Sequence, residues 1–182
     1  MVICVFGSAS DEIADLYKER TQALCSAAAR RGHSLVYGAG AAGLMGAAAR
    51  GFAAEGGRVL GVIPEFFKEE RIEEINFDCD EIIYTASMQE RKRIMEEKAD
   101  AFLVTPGGVG TFEEFLEVLT LKQLDRHKKP IALYNIDGYY NPLIVALERG
   151  IERGFIHDTL HARFRVFTED GPLLDYLEAP QE

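Results

Sequence analysis

Two charged residues fall where helical periodicity calls for apolar ones. Over Ser87–Lys98 the apolar stripe runs through Met88, Met95 and Ala99, and Arg91 lies within it, while Arg93 and Glu97 point the other way. A guanidinium on an inward face needs an anion, because leaving it unpaired in low dielectric is costly. The anion is either a core-edge carboxylate, giving a structural salt bridge, or a ligand carboxylate or phosphate held by arginine's bidentate fork. Lys92 flanks the same stripe. Over Thr111–Asp125, Glu114 lies beside Val118 and Leu121, away from the wet edge of Glu113 and Glu117. A carboxyl placed there is partly desolvated, which raises its pKa and suits acid–base work. A plain structural explanation competes: Thr111 with Glu114 three residues on is a capping box, as is Ser87 with Glu90.

Three glycine-bearing segments accompany this pair: Gly7-Ser8, Gly38-Ala39-Gly40-Ala41-Ala42-Gly43, and Pro106-Gly107-Gly108-Val109-Gly110-Thr111. Glycine lets the backbone approach a ligand and aim its N–H groups outward, and a following helix N-terminus presents about half a positive charge. Three such loops on one sheet edge predict a phosphate cradle; each alone is also explained by a tight turn. Gly38–Gly43 fits GxGxxG, the dinucleotide fingerprint, with Glu65 near the distance of a ribose-binding acid. Against that, the match lies in the second strand–helix unit, Glu65 follows a proline, and no hydride chemistry follows. GxxxxGK[ST] and GxSxG are absent, which excludes P-loop NTPases and α/β-hydrolases on motif grounds.

Positioning these loops requires an alternating scaffold, and the chain supplies one. Apolar runs at Val2–Phe6, Ser34–Tyr37, Val59–Ile63, Ile82–Tyr84, Ala101–Thr105, Ile131–Tyr134 and Phe164–Phe167 read as strands. Between them Asp11–Arg31, Gly43–Glu55, Ser87–Lys98, Thr111–Asp125 and Asn141–Arg153 read as helices, with a short helix at the C-terminus. The Ala-rich second helix is small enough on one side to pack closely, and Glu65–Asp80 reads as an irregular, charged flap. The expected fold is a single Rossmann-like α/β domain over residues 1–182, a doubly wound parallel sheet with helices on both faces. Ligands then bind outside the carboxyl ends of the strands, near the topological switch point.

Composition narrows the function. The chain has 182 residues, 47% apolar and 27% charged, with 17 Gly and 6 Pro, which excludes a disordered or collagen-like chain. A net charge of −10 speaks against nucleic acid or an anionic membrane as partner, so an anionic ligand must be held by local donors. Cys4, Cys25 and Cys79 form no CxxC pair, which fits a reducing cytoplasm. The opening apolar run is short and lacks a basic lead-in, and so reads as a strand, not a signal peptide. No stretch has the character of a membrane span. His157 and His161, four apart, lack a third ligand and read as surface residues; no metal site is expected. His33 is expected to pack at a strand start, and His127, among Arg126, Lys128 and Lys129, at a solvated helix C-terminus. The acidic run Glu69–Glu74 reads as solvated surface, with substrate contact by Glu73 or Glu74 as the alternative.

The segment Pro106–Glu114 resembles the PGGxGTxxE signature of the LOG ("lonely guy") family, cytokinin riboside 5′-monophosphate phosphoribohydrolases formerly described as lysine decarboxylases. Met88-Gln89-Glu90-Arg91-Lys92 is similar to that family's M-x-E/Q-R-K segment, Val36–Gly46 to its VYGGGxxGLMG, and Asp137-Gly138-Tyr139-Tyr140 to its N-x-D-G-Y-Y turn. Ala39 replaces a glycine, Gln89 stands where many members have histidine, and the flap after Pro64 differs. The resemblance implies hydrolysis of the N-glycosidic bond of a nucleoside 5′-monophosphate, without cofactor, commonly by a homodimer. It implies Arg91 and Glu114 as the catalytic pair and Gly107, Gly108, Gly110 and Thr111 as phosphoribose ligands, with Lys92, Glu113 and Thr120 lining the site. Gly7, Ser8, Gly38, Gly40, Gly43 and Met88 complete the candidate binding set. Two other readings remain open at this point: a nucleotide or cofactor carrier without turnover, and an NAD(P)-dependent oxidoreductase built on Gly38–Gly43. A pyridoxal-dependent decarboxylase is disfavoured, since no lysine is accompanied by an acid for the pyridine nitrogen.

Overall fold

The apolar runs pair edge to edge. In the computed structural model, which describes residues 1–180, seven strands form one parallel sheet. They are β1 (Val2–Phe6), β2 (Ser34–Tyr37), β3 (Val59–Pro64), β4 (Glu81–Thr85), β5 (Ala101–Val104), β6 (Ile131–Tyr134) and β7 (Arg165–Phe167), in the order β4-β3-β2-β1-β5-β6-β7. Ile3 of β1 stands between Leu35 of β2 and Ala101 of β5. β5 and β6 are buried along their whole length, as both-sided covering by helices demands.

The helices are α1 (Asp15–Arg30), α2 (Gly43–Ala54), α3 (Glu65–Glu70), α4 (Met88–Lys98), α5 (Val109–Gln123), α6 (Asn141–Glu152) and α7 (Asp170–Glu178). One face of the sheet is covered by α1, α2 and α7, through Leu24, Phe52, Leu173 and Leu177. The other is covered by α4, α5 and α6, through Met95, Phe115, Val118 and Leu147. Fully burying a side chain such as Leu24 or Phe115 contributes about 1.5–3 kcal/mol. The small side of α2 is used against α1: a Cβ on Gly51 would lie 2.5 Å from the Gln22 carbonyl oxygen. The Rossmann-like α/β class expected from the alternation is the observed one.

Most boundaries fall within one or two residues of expectation, and three differences each have a local reason. α1 starts at Asp15, four residues late, because Asp11 stays in the loop and accepts the Gly43 N–H at 2.8 Å. The flap after β3 is not wholly irregular, since Glu65–Glu70 coils into a short helix that ends at Arg71 in the left-handed region. α5 begins at Val109, so Thr111 is a helical residue and not the N-cap; Gly108, with extended backbone, takes that place without a side-chain bond. Ser87 does cap α4 as expected, accepting the Glu90 N–H, while the Glu90 carboxylate accepts the Ala86 N–H.

The chain winds outward from β1 to β4, returns along α4 to β5, and winds outward the other way. The switch point therefore lies between β1 and β5, and the crevice beyond their carboxyl ends is where this fold places ligands.

Candidate active site

Two of the three glycine loops meet at that crevice. The Ser8 N–H donates to the Pro106 carbonyl at 3.1 Å, and the Thr105 hydroxyl donates to that of Phe6 at 2.9 Å. Gly7 permits this closeness, since a Cβ there would sit 2.3 Å from Thr105 Oγ1. Ser8, Tyr17, Pro106, Gly107, Gly108 and Tyr139 bound a small cavity of about 150 Å³. Beside it, the first three amides of α5, at Val109, Gly110 and Thr111, have no intrahelical acceptor, as at any helix start. A Cβ at Gly108 or Gly110 would meet nothing within 4 Å, so this helix N-terminus faces open space. Thr111 is buried beneath the loop, its Oγ1 only 2.1 Å from where a Gly107 Cβ would lie. This is a ready site for an anion.

The Gly38–Gly43 loop is built differently. The amides that open α2 are already used: Asp11 takes that of Gly43, and the Ser8 carbonyl takes those of Leu44 and Met45 at 2.8 and 3.2 Å. Gly43 is in the left-handed region at φ +57, with the Ser8 oxygen 2.4 Å from its hypothetical Cβ. It therefore sits inside the packing between loops. Gly38 and Gly40 instead make room for side chains: a Cβ on Gly38 would lie 1.8 Å from Arg91 Nη2, and one on Gly40 2.5 Å from Met45 Cε. Ala39 between them holds φ +62 while fully buried, a strain of about 1–2 kcal/mol for a non-glycine residue.

The space made by Gly38 holds the guanidinium of Arg91, which reaches in from the first turn of α4. Its Nε donates to the Val62 carbonyl at 3.1 Å, Nη1 lies 3.9 Å from Met88 Sδ, and Nη1 is 3.7 Å from Glu114 Oε1. Arg91 and Glu114 are 6% and 9% exposed, so the pair is desolvated and not a surface bridge. The Glu114 carboxyl makes no hydrogen bond among the described residues, and no capping box claims it, because the helix starts earlier than its motif suggests. Burial pushes this carboxyl up to about 7; Arg91 pulls against that and Glu113 adds to it. Arg91 also faces a second carboxyl, the half-buried Glu73, which burial also raises and Arg91 lowers, and whose Oε1 is buried without a hydrogen-bond partner among the described residues.

Lys92 turns outward to ion-pair with Glu113 and, at 2.6 Å, with Glu117. Thr120 shares that outer strip of α5 and is exposed, its hydroxyl donating to the Leu116 carbonyl at 2.7 Å. The fold thus gathers Gly7, Ser8, Gly38, Gly40, Met88, Arg91, Gly107, Gly108, Gly110, Thr111 and Glu114 at one sheet edge. Lys92, Glu113 and Thr120 lie on the adjoining outer strip, and Gly43 lies in the packing. Two residues given no role from sequence also belong here. The Tyr139 hydroxyl donates to the Gly107 carbonyl and that of Tyr140 to the Thr105 carbonyl, both at 2.6 Å. The signal was the Asp137-Gly138 turn, whose two positive φ angles (51 and 71) throw both rings toward the loop. Glu73, named with Glu74 as an alternative to solvated surface, is the one of the two that faces Arg91.

The histidines split. His33 pairs with Glu178 at 2.7 Å, and His157 and His161 are exposed at the short 3-10 turn Asp158–Ala162. His127 corrects the expectation of a solvated helix end: it is half-buried, its Nε2 lies 2.9 Å from the Val118 carbonyl, and its ring stacks obliquely on Phe102. Among the described residues no group of three His, Cys, Asp or Glu is placed to hold a metal, and no helix is long and apolar enough to cross a membrane.

Fold and site together define a Rossmann-like α/β protein with an open helix N-terminus and a buried Arg–Glu pair at its switch point. Residues 45–177 match the protein-family model described as "Possible lysine decarboxylase". The chain is 38% identical over 177 residues to cytokinin riboside 5′-monophosphate phosphoribohydrolase LOG2 of Arabidopsis thaliana, covering 97% of this chain and 82% of that protein. To LOG7 of the same plant, a phosphoribohydrolase of the same description, it is 41% identical over 154 residues, 85% of this chain and 70% of that one. The chain belongs to this family, the LOG family. Among solved structures, the molybdenum cofactor carrier protein of Chlamydomonas reinhardtii superposes with a TM-score of 0.70 over 96% of this chain and 93% of its own, at 21% identity, a likeness of fold.

Proposed function

We propose that this protein hydrolyses the N-glycosidic bond of nucleoside 5′-monophosphates, cytokinin nucleotides and AMP among them, to free base and ribose 5-phosphate. The reading is carried by one observation: a desolvated carboxyl, Glu114, stands beside Arg91 one turn from an uncapped helix N-terminus. The 5′-phosphate would dock on the amides of Gly108–Thr111, which sets the ribose against Glu114. As the bond from C1′ to the base nitrogen breaks, the ribose becomes oxocarbenium-like and its charge is met by the Glu114 carboxylate, as in glycosidases. The base leaves with the bonding electrons, water adds to C1′ and gives a proton to that carboxylate, and the base nitrogen takes up one proton from solvent, so that return of the Glu114 proton to solvent closes the cycle. Arg91, anchored on Val62, holds the carboxylate in place and keeps a fraction of it ionised.

The decarboxylase description of the family model does not fit these residues. Pyridoxal chemistry needs an amine free to form a Schiff base. Burial lowers the affinity of Lys92 for its proton, but Glu113 and Glu117 outweigh burial and hold it as an ammonium.

We further read residues 1–182 as one functional domain, cytoplasmic, without nucleic-acid partners, and homodimeric. The buried unpaired Cys4 and Cys25 suit a reducing compartment, and the charge of −10 suits the absence of nucleic acid. Exposed Val109 and Leu116 on the outer strip of α5 suit a subunit contact. Incubation with AMP and with N6-isopentenyladenosine monophosphate, followed by chromatography, should release free base. Tight binding with the nucleotide returned intact would point to a carrier. Saturable binding of a dinucleotide with no release of base would point to an oxidoreductase.

A further inference from the structure

Glu73 brings to the candidate site a carboxyl that the cleavage step does not use. Gly40 and Ile75 form an antiparallel bridge, flanked by the Ala41 N–H donating to the Glu74 carbonyl and the Asn76 N–H to that of Ala39, both at 2.8 Å. The flap is thus laid against the loop at the carboxyl end of β2, the loop that also makes room for Arg91. Glu73 Oε1 is 3.2 Å from where a Gly40 Cβ would lie, and Arg91 Nη2 is 1.8 Å from the corresponding point at Gly38. Oε1 is covered there, while Oε2 is neither covered nor hydrogen-bonded among the described residues.

Arg91 is unfinished on the matching side. Its Nε is taken by Val62 and its Nη1 by Met88 and Glu114, whereas Nη2 has no acceptor among the described residues and is not sealed from solvent. The guanidinium acts on Glu73 by its charge, yet the two form no ion pair among the described residues. They stand close enough for one to feel the other and too far apart to bond directly. A space for a small polar group is left between a donor and an acceptor.

What fills it must accept from Nη2 and donate to Oε2 at once. A phosphate oxygen or a carbonyl only accepts and the amino group of a base only donates, whereas a hydroxyl does both. If the cleavage reading holds, on which this inference rests, position says which hydroxyl. Glu114 and Arg91 Nη1 then stand at C1′; Nη2 is two bonds from Nη1, and the 2′-oxygen is two bonds from C1′. We propose that Glu73 is a specificity-determining residue that accepts a hydrogen bond from the 2′-hydroxyl of the ribose while Arg91 Nη2 donates to the same oxygen, so that the site selects ribonucleotides over 2′-deoxyribonucleotides. Dinucleotide-binding folds of similar architecture also set an acidic side chain on that hydroxyl.

Cleavage of AMP, 2′-deoxy-AMP and 3′-deoxy-AMP by the wild type, Glu73→Ala and Glu73→Gln separates this role from a structural one. Losing the 2′-hydroxyl alters the reactivity of the glycosidic bond itself. The informative quantity is therefore how the kcat/KM ratio of AMP to 2′-deoxy-AMP changes from wild type to variant. That ratio should fall about tenfold in Glu73→Ala, the scale of a hydrogen bond to a charged group, and less in Glu73→Gln, whose amide oxygen still accepts. The ratio of AMP to 3′-deoxy-AMP should hold. Calorimetry with ribose 5-phosphate and 2-deoxyribose 5-phosphate needs no turnover: the wild type should favour the ribose form about tenfold, and Glu73→Ala should not. That preference in a protein that does not cleave AMP would remove the hydrolytic reading and keep Glu73 on the sugar. A ratio of AMP to 2′-deoxy-AMP unmoved in Glu73→Ala, with both activities falling together, would overturn the proposal. So would a loss that follows the 6-amino group, read with purine riboside monophosphate, instead of the 2′-hydroxyl.

Discussion

A carboxyl held near 7 has opposite consequences for turnover and for stability, and Glu114 should show both. If the ionised form meets the developing ribose cation, kcat/KM should fall as pH drops below about 7, following protonation of Glu114 in the free enzyme. In Glu114→Gln that limb should vanish, with kcat reduced by about 10²–10⁴-fold and nucleotide binding retained, since the amide keeps shape and loses charge. The stability effect runs the other way. Below the ordinary carboxyl value of 4.5 both folded and unfolded chains hold the proton; between 4.5 and about 7 the unfolded chain releases it first. The folded state therefore loses stability as pH rises through that window, by up to about 3 kcal/mol from this group. Urea unfolding at pH 5 and pH 8 should show that loss in the wild type and not in the Gln variant. Arg91 and Glu114 were legible from sequence because a charge on a 3.6-residue apolar stripe is a local contradiction, visible without the fold. Glu73 could be named only together with Glu74, since what sets it apart is residues 38–40 closing over it, a contact the sequence does not announce.

The same kind of motif means different things in different elements, as the starts of α2 and α5 show. Both follow a glycine loop at a strand's end, and sequence offers each as an anion cradle. The difference is tertiary: the loop at residues 7–11 folds over the start of α2 and satisfies its amides, while among the described residues no side chain caps α5. Two alanine substitutions separate these roles. Gly43→Ala should cost about 2 kcal/mol or more, because φ is +57 and the Ser8 oxygen occupies the new methyl's place. Gly108→Ala should cost under about 0.5 kcal/mol, since its backbone is extended and the space beyond it is free. Its methyl would stand over the α5 amides, so KM for nucleotide should rise while the melting temperature holds. The strand–helix alternation was readable everywhere but between β3 and β4, because short apolar runs and longer amphipathic ones differ in period. The helix starts were less so. Thr111 looks like a cap only until its hydroxyl is seen packed under Gly107, and Asp11 looks like a first-turn acid only until it reaches Gly43.

At the scale of the whole molecule, the proposed substrate approaches a surface that repels it. The chain carries −10, a nucleoside monophosphate is itself a dianion near neutral pH, and Lys92, the cation nearest the outer edge of the site, is neutralised by Glu113 and Glu117. The donors proposed to bind the phosphate are short-ranged: backbone amides and a helix terminus whose field fades within a turn. Repulsion between exposed charges acts over the Debye length, about 30 Å at 0.01 M salt and about 8 Å at 0.15 M. Raising chloride across that range should therefore lower KM by a few fold, the opposite of the usual behaviour of enzymes that bind anions through exposed lysines and arginines. The buried Arg91–Glu114 pair is shielded from salt, so kcat should hold. Steady-state kinetics in graded sodium chloride would test both halves. A KM that climbs with salt would mean that exposed cations, not the amides of α5, draw the nucleotide in.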